Sequence, residues 1–114
     1  MRTQEIAKEI RNTMKELKGV KLSITSDYNH INVKLMAANF NAILIDKGNV
    51  QLNKYNFNSD ERISKEAKTV FQLVEEIINK YHYDNSDSMI DYFDTNFYYY
   101  YQIGSWDKDF KILN

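Results

Sequence analysis

The chain has 114 residues, 43% of them apolar, with 15 basic and 16 acidic residues and a formal charge of −1. That length carries one hydrophobic core rather than two. The absence of cysteine excludes disulfides, thiolate metal sites and thiol nucleophiles, and the near-neutral charge speaks against a dedicated nucleic-acid binder, which needs a clear basic excess. No apolar leader follows Met1 and no stretch approaches the roughly 20 apolar residues of a membrane span. Without repeats or a shift in composition, the expectation is a single α+β domain over residues 1–114, soluble and cytoplasmic.

The first predicted element is a helix over residues 3–18. Ile6, Ile10, Met14 and Leu17 recur on one helical face, with Thr3 as N-cap, Glu5 in the first turn and Gly19 just past the end. Lys8, Arg11 and Lys15 form a basic stripe on the outer side. The period then changes to two. Val20, Leu22 and Ile24 alternate with Lys21, Ser23 and Thr25, a polar turn covers residues 26–29, and Ile31, Val33 and Leu35 continue the alternation. This pattern predicts a hairpin with one buried face.

A third strand is expected at residues 42–45, a tight turn at 46–49, and a fourth strand at 50–55. The second helix is predicted to be capped by Asn58, Ser59 or Asp60. Its apolar stripe runs through Ile63, Ala67, Val70, Phe71, Val74, Ile77, Ile78 and Tyr81. Residues 82–96 fit either a short helix or an irregular strand. Residues 97–103 read as a strand ended by Gly104, and Trp106, Phe110, Ile112 and Leu113 as a last packed segment. The order α-β-β-β-β-α-β then predicts a mainly antiparallel sheet of four to five strands with two main helices packed on one face.

The run Phe-Tyr-Tyr-Tyr-Tyr-Gln-Ile at 97–103 carries the strongest functional signal. A strand sends alternate side chains to opposite faces, so Phe97, Tyr99, Tyr101 and Ile103 share one side, and Tyr98, Tyr100 and Gln102 the other. If the first set enters the core, the second displays tyrosines. Rigid amphipathic rings suit a macromolecular contact because they bury area at low entropy cost. Three uses remain open: aromatic packing across strands, a protein-binding face built on Tyr98, Tyr100 and Trp106, or base stacking. Aspartates flank the strand at Asp91, Asp94, Asp107 and Asp109, which disfavours a phosphate backbone.

Enzyme signatures are missing. Three isolated glycines make no phosphate loop, no nucleophile elbow is present, and two histidines do not make a three-histidine zinc site. Asp84, Asp87, Asp91 and Asp94 follow helical spacing, which fits a negatively charged docking surface, a divalent-cation site, or solvated turn and cap residues. His82 adjoins this cluster, and His30 opens a strand; both read most simply as structural. Charge is uneven. Residues 1–80 hold 13 Lys/Arg against 10 Asp/Glu, whereas residues 81–114 hold two lysines against six aspartates.

Two blocks, Ile6-Ala7-Lys8-Glu9-Ile10-Arg11 with Leu17-Lys18-Gly19-Val20-Lys21-Leu22-Ser23-Ile24-Thr25-Ser26 and Ile31-Asn32-Val33, and Ile78-Asn79-Lys80-Tyr81-His82-Tyr83-Asp84 with Ser88-Met89-Ile90-Asp91-Tyr92, carry a resemblance. Together they resemble a small α+β domain of phage and conjugative elements, the large polyvalent protein-associated domains of class twenty-nine. The resemblance implies a mobile-element origin and transfers no catalytic residue.

The functional expectation is a non-enzymatic mobile-element protein, without cofactor or metal, that binds a host macromolecule. An anti-CRISPR or antirestriction factor is its most concrete form. Tyr98, Tyr100, Trp106 and the four aspartates would meet the partner. The alternatives are a nucleic-acid accessory protein using Lys8, Arg11 and Lys15, and a metal-dependent enzyme at His82 and the aspartates. Self-association through an aromatic edge strand is a further expectation.

Overall fold

The computed structural model describes residues 3–81 and 97–113. Helix α1 (Thr3–Met14) forms where Ile6, Ile10 and Met14 line one face, and all three are buried. The helix ends earlier than the stripe predicted, because the chain leaves it through a turn closed by Leu17 N–H donating to Met14 O. Thr3 does not act as a cap. It is buried, and its hydroxyl donates to the Asp27 carbonyl, fastening the start of α1 to the turn between β1 (Val20–Ser26) and β2 (His30–Ala38).

That turn is set by Asp27, whose Oδ1 accepts from the amides of Asn29 (3.3 Å) and His30 (3.0 Å), the local competition that makes aspartate a turn residue. The two strands pair antiparallel from Ser26 opposite Ile31 to Val20 opposite Ala38, with one irregularity between Lys21 and Leu22.

Beyond the hairpin the expected sheet is corrected. Strand β4 (Tyr98–Ile103) lies parallel to β2, with His30 opposite Tyr98 and Leu35 opposite Ile103. Strand β3 (Val50–Leu52) pairs antiparallel to β4, and β5 (Lys111–Ile112) runs parallel to the far end of β2. The order is β1-β2-β4-β3, with β5 on β2. The sheet is therefore mixed, with a parallel seam at its centre. A parallel pair needs a long crossover, and the chain between β2 and β4 supplies one that carries helix α2 (Lys65–Asn79).

The strand expected at 42–45 is absent. Ile43 makes a single bridge to Ile63, supported by Leu44 N–H donating to Arg62 O and Ser64 N–H to Ala42 O. This pairing brings Ser64, rather than residues 58–60, to the N-terminus of α2, where its side chain accepts from Ala67 N–H. The strand expected at 50–55 stops at Leu52, because Asn53 Oδ1 accepts from Tyr55 N–H and turns the chain.

Both helices cover one face of the sheet. Ala67, Val70, Phe71, Val74, Ile77 and Ile78 of α2 are buried with Ile31, Val33 and Leu35 of β2 and Tyr99, Tyr101 and Ile103 of β4. Tyr101 is 1% exposed, and its ring meets Phe57 edge-on at 5.5 Å and Phe71 at 5.1 Å. Between the helices, Glu9 accepts from Tyr81 and pairs with Lys80 at 3.3 Å.

Candidate functional site

The alternation along β4 is as the sequence predicts. Phe97, Tyr99, Tyr101 and Ile103 are buried, whereas Tyr98 and Tyr100 are 40% and 50% exposed on the face turned away from the helices. Register places His30, Asn32 and Lys34 of β2 beside Tyr98, Tyr100 and Gln102, and Ser23 and Thr25 of β1 beyond them. No described element covers this face.

The rings on it are organised. His30 stacks on Tyr98 at 5.6 Å and on Tyr100 at 5.8 Å, forming a three-ring ladder across the β2–β4 seam. His30 Nδ1 lies 3.1 Å from Asp27 Oδ1, so the hairpin turn that starts β2 also holds the imidazole in place. Reading the sequence alone, His30 is structural. Its place in the ladder follows only once β2 and β4 are known to be parallel neighbours.

Basic groups rim the ladder. Lys34 stands on the open face, and Lys54 Nζ reaches over the rings of Tyr99 (4.3 Å), Tyr55 (5.4 Å) and Tyr100 (5.9 Å). Arg62 is held by Asp60 through Nε and Nη2, the latter at 2.6 Å, and also donates to Gln51 O at 3.1 Å. It thereby covers the outer edge of β3. These cations come from three different segments, so no sequence window groups them.

Trp106 is 87% exposed in the turn where Ser105 bridges Lys108. It shares a shallow groove with Gln102, Gln51 and Arg62, and the neighbouring groove joins Gln51 and Arg62 to Tyr55 and Tyr100. Tyr98, Tyr100 and Trp106 therefore belong to one continuous surface. Asp107 borders it. Its bond from the Ser105 hydroxyl, 2.6 Å away, holds its carboxyl below the usual carboxylate range, with Lys34 and Lys108 acting in the same direction.

The predicted basic stripe is split. Arg11 and Lys15 line a groove beside β1 with Lys21, whereas Lys8 lines another with Glu5, Glu9 and Glu16. Strand β4 is an edge only in part: it lies between β2 and β3, with β3 beside residues 101–103 and no described strand beside residues 98–100 on that side. His82, Asp84, Asp87, Asp91 and Asp94 lie outside the described residues. Among the described residues no group of three His, Asp or Glu is placed to hold a metal ion, and no helix is long and apolar enough to cross a membrane.

Behind the face, burial pushes the Tyr99 phenol up to about 12, with the Glu75 and Tyr55 charges adding to it, and burial drives Tyr101 higher still. Both groups keep their protons in the fold after the unfolded chain has begun to release them near pH 10. Their contribution to stability is complete below pH 10 and is lost as pH rises toward 12. Urea midpoints measured from pH 9 to 12 should therefore fall; a flat profile would contradict this burial.

What the fold and site define is a small α+β domain that offers an aromatic sheet face. No family model, curated protein or solved structure matches the chain.

Proposed function

We propose that this chain is a non-enzymatic binding protein of a mobile genetic element and that the open sheet face seats a host protein. The observation that carries the proposal is the ladder of His30, Tyr98 and Tyr100 on a face that no described element covers. Tyrosine and tryptophan dominate protein interfaces because one end is apolar and the other hydrogen-bonds. Trp106 extends the apolar area, and Lys34, Lys54 and Gln102 supply a polar rim.

The most concrete form is an anti-defence inhibitor, such as an anti-CRISPR or antirestriction factor. Six aspartates against two lysines in residues 81–114 suit competition for a surface that ordinarily holds nucleic acid. The mobile-element origin rests on the resemblance of two sequence blocks to phage and conjugative-element domains.

The test is capture of a partner from host extract by the wild-type chain and by the Tyr98→Ala/Tyr100→Ala variant, followed by affinity measurement on the captured protein. Both positions are exposed, so the variant should fold. Its affinity should drop by about thirtyfold or more, the equivalent of one interface hot spot. Equal capture by the two proteins would refute the assignment of the face.

One observation favours a second reading. Stacked rings beside Lys34 and Lys54 are also the makings of a single-strand nucleic-acid platform. This reading requires oligonucleotide binding that weakens about tenfold or more between low and physiological salt. No binding at low salt eliminates it.

A further inference from the structure

We propose a second docking site, on the outer edge of β1, that takes an extended acidic segment of a partner protein as an added strand. The site lies on the edge of the sheet two strands from β4 and does not rest on the function proposed for the tyrosine ladder.

Strand β1 ends the sheet on its side, and its seven residues have no described strand beyond them. In an antiparallel pair, alternate residues turn their backbone groups away from the partner strand. Arg11 Nη2 donates to Ile24 O at 2.7 Å from outside the sheet, which identifies Ile24 as one such residue. Parity then adds Leu22 and Ser26. These are the main-chain groups that strand addition uses.

The same edge borders a groove of about 450 Å³ between β1 and α1. Met14, Val20, Leu22 and Ile24 give it an apolar lining, and Arg11, Lys15 and Lys21 give it charge. No acidic residue lines it; the acids Glu5, Glu9 and Glu16 of the α1 region line a different groove. Among the described residues, Arg11, Lys15 and Lys21 have no carboxylate within ion-pair distance.

The occupant follows from these features. An incoming strand turns alternate side chains to opposite faces, so a segment alternating apolar and acidic residues would set its carboxylates on the α1 side beside Arg11 and Lys15 and its apolar residues on the open side. Its N–H would take over Ile24 O, freeing the Arg11 guanidinium for a carboxylate, a stronger partner than a neutral carbonyl. A second copy of this chain fits poorly, because two β1 edges would bring two sets of Arg11, Lys15 and Lys21 together. A nucleic acid would find the charges but no ring to stack on, and would leave the outward amides unpaired.

The probe is the capped peptide Val-Glu-Val-Glu-Val-Glu-Val, followed by amide chemical shifts of the full chain. Saturable shifts are expected at the amides of Leu22, Ile24 and Ser26 and along α1. Methylating alternate backbone nitrogens of the peptide removes strand hydrogen bonds without altering charge, and should weaken binding about tenfold or more. The Arg11→Gln/Lys15→Gln variant should weaken it comparably while leaving the unbound spectrum otherwise intact. The lysine counterpart of the peptide should not bind.

Absence of shifts, or shifts confined to Tyr98 and Tyr100, would overturn the proposal. So would equal binding of the methylated peptide, tighter binding of an oligonucleotide to the same amides, or shifts at those amides that track self-association by light scattering.

Discussion

Truncating Tyr101 to alanine is expected to lower stability by about 3–5 kcal/mol, whereas Tyr100→Ala, one residue away on the same strand, should cost less than about 1 kcal/mol. The contrast follows from strand parity. Tyr101 is 1% exposed, and its ring closes a cluster with Phe57, Phe71 and Tyr99, so removing it leaves a cavity that surrounding rings on separate elements do not fill. Tyr100 is half exposed and touches His30. A third variant separates ring from hydroxyl. The Tyr101 Oη is buried and has no hydrogen-bond partner among the described residues, so Tyr101→Phe should hold or gain stability, by up to about 1 kcal/mol. Urea denaturation of the three variants checks the series; a Tyr101→Ala cost no larger than that of Tyr100→Ala would mean the strand is turned over.

The second large effect is expected at Gly104. Its φ is +68°, in the left-handed region that disfavours a side chain. A Cβ there would lie 2.5 Å from Gly48 O and 2.9 Å from Phe110 N, two atoms that are themselves hydrogen-bonded at 2.8 Å. The residue does not back away, since Gly104 N–H donates to Leu35 O at 2.8 Å. Gly104→Ala should therefore cost about 2–4 kcal/mol, combining backbone strain with a damaged hydrogen bond. Gly19→Ala is the control. It too has positive φ, at +79°, but its Cβ would meet the side chain of Asn39, which can turn aside, so the cost should stay near 1 kcal/mol. Equal stability of the Gly104→Ala variant and the wild type would disprove the close approach that docks the C-terminal turn.

Which parts were legible in the sequence depends on what periodicity encodes. Period two gave the faces of β1, β2 and β4, because burying one side of a strand forces its residues to alternate. Period 3.6 gave the buried stripes of both helices. Periodicity does not encode which strand lies beside which. Ile31, Val33 and Leu35 look the same whether their neighbour runs parallel or antiparallel, so the seam between β2 and β4 was missed. The apolar run 42–45 reads as a strand, yet only Ala42 and Ile43 are buried; Leu44 and Ile45 are exposed beside a single bridge.

The candidate site divides in the same way. Tyr98 and Tyr100 were legible because their role depends on parity within one strand. His30, Lys34, Lys54 and Arg62 were not, because each reaches the rings through a pairing or turn made elsewhere in the chain. The stripe Lys8, Arg11 and Lys15 follows helical spacing, but α1 lies against β1 such that Lys8 falls on one side and the other two on the opposite side.

The central claim is that one face of β4 is offered to solvent while the other is sealed. Nitration of the native protein with tetranitromethane, mapped by mass spectrometry, tests it most directly. Tyr98 and Tyr100 should be modified and Tyr99 and Tyr101 spared until the chain is unfolded. Protection of all four tyrosines in the isolated native chain, or modification of Tyr101 at the rate of Tyr100, would contradict the claim.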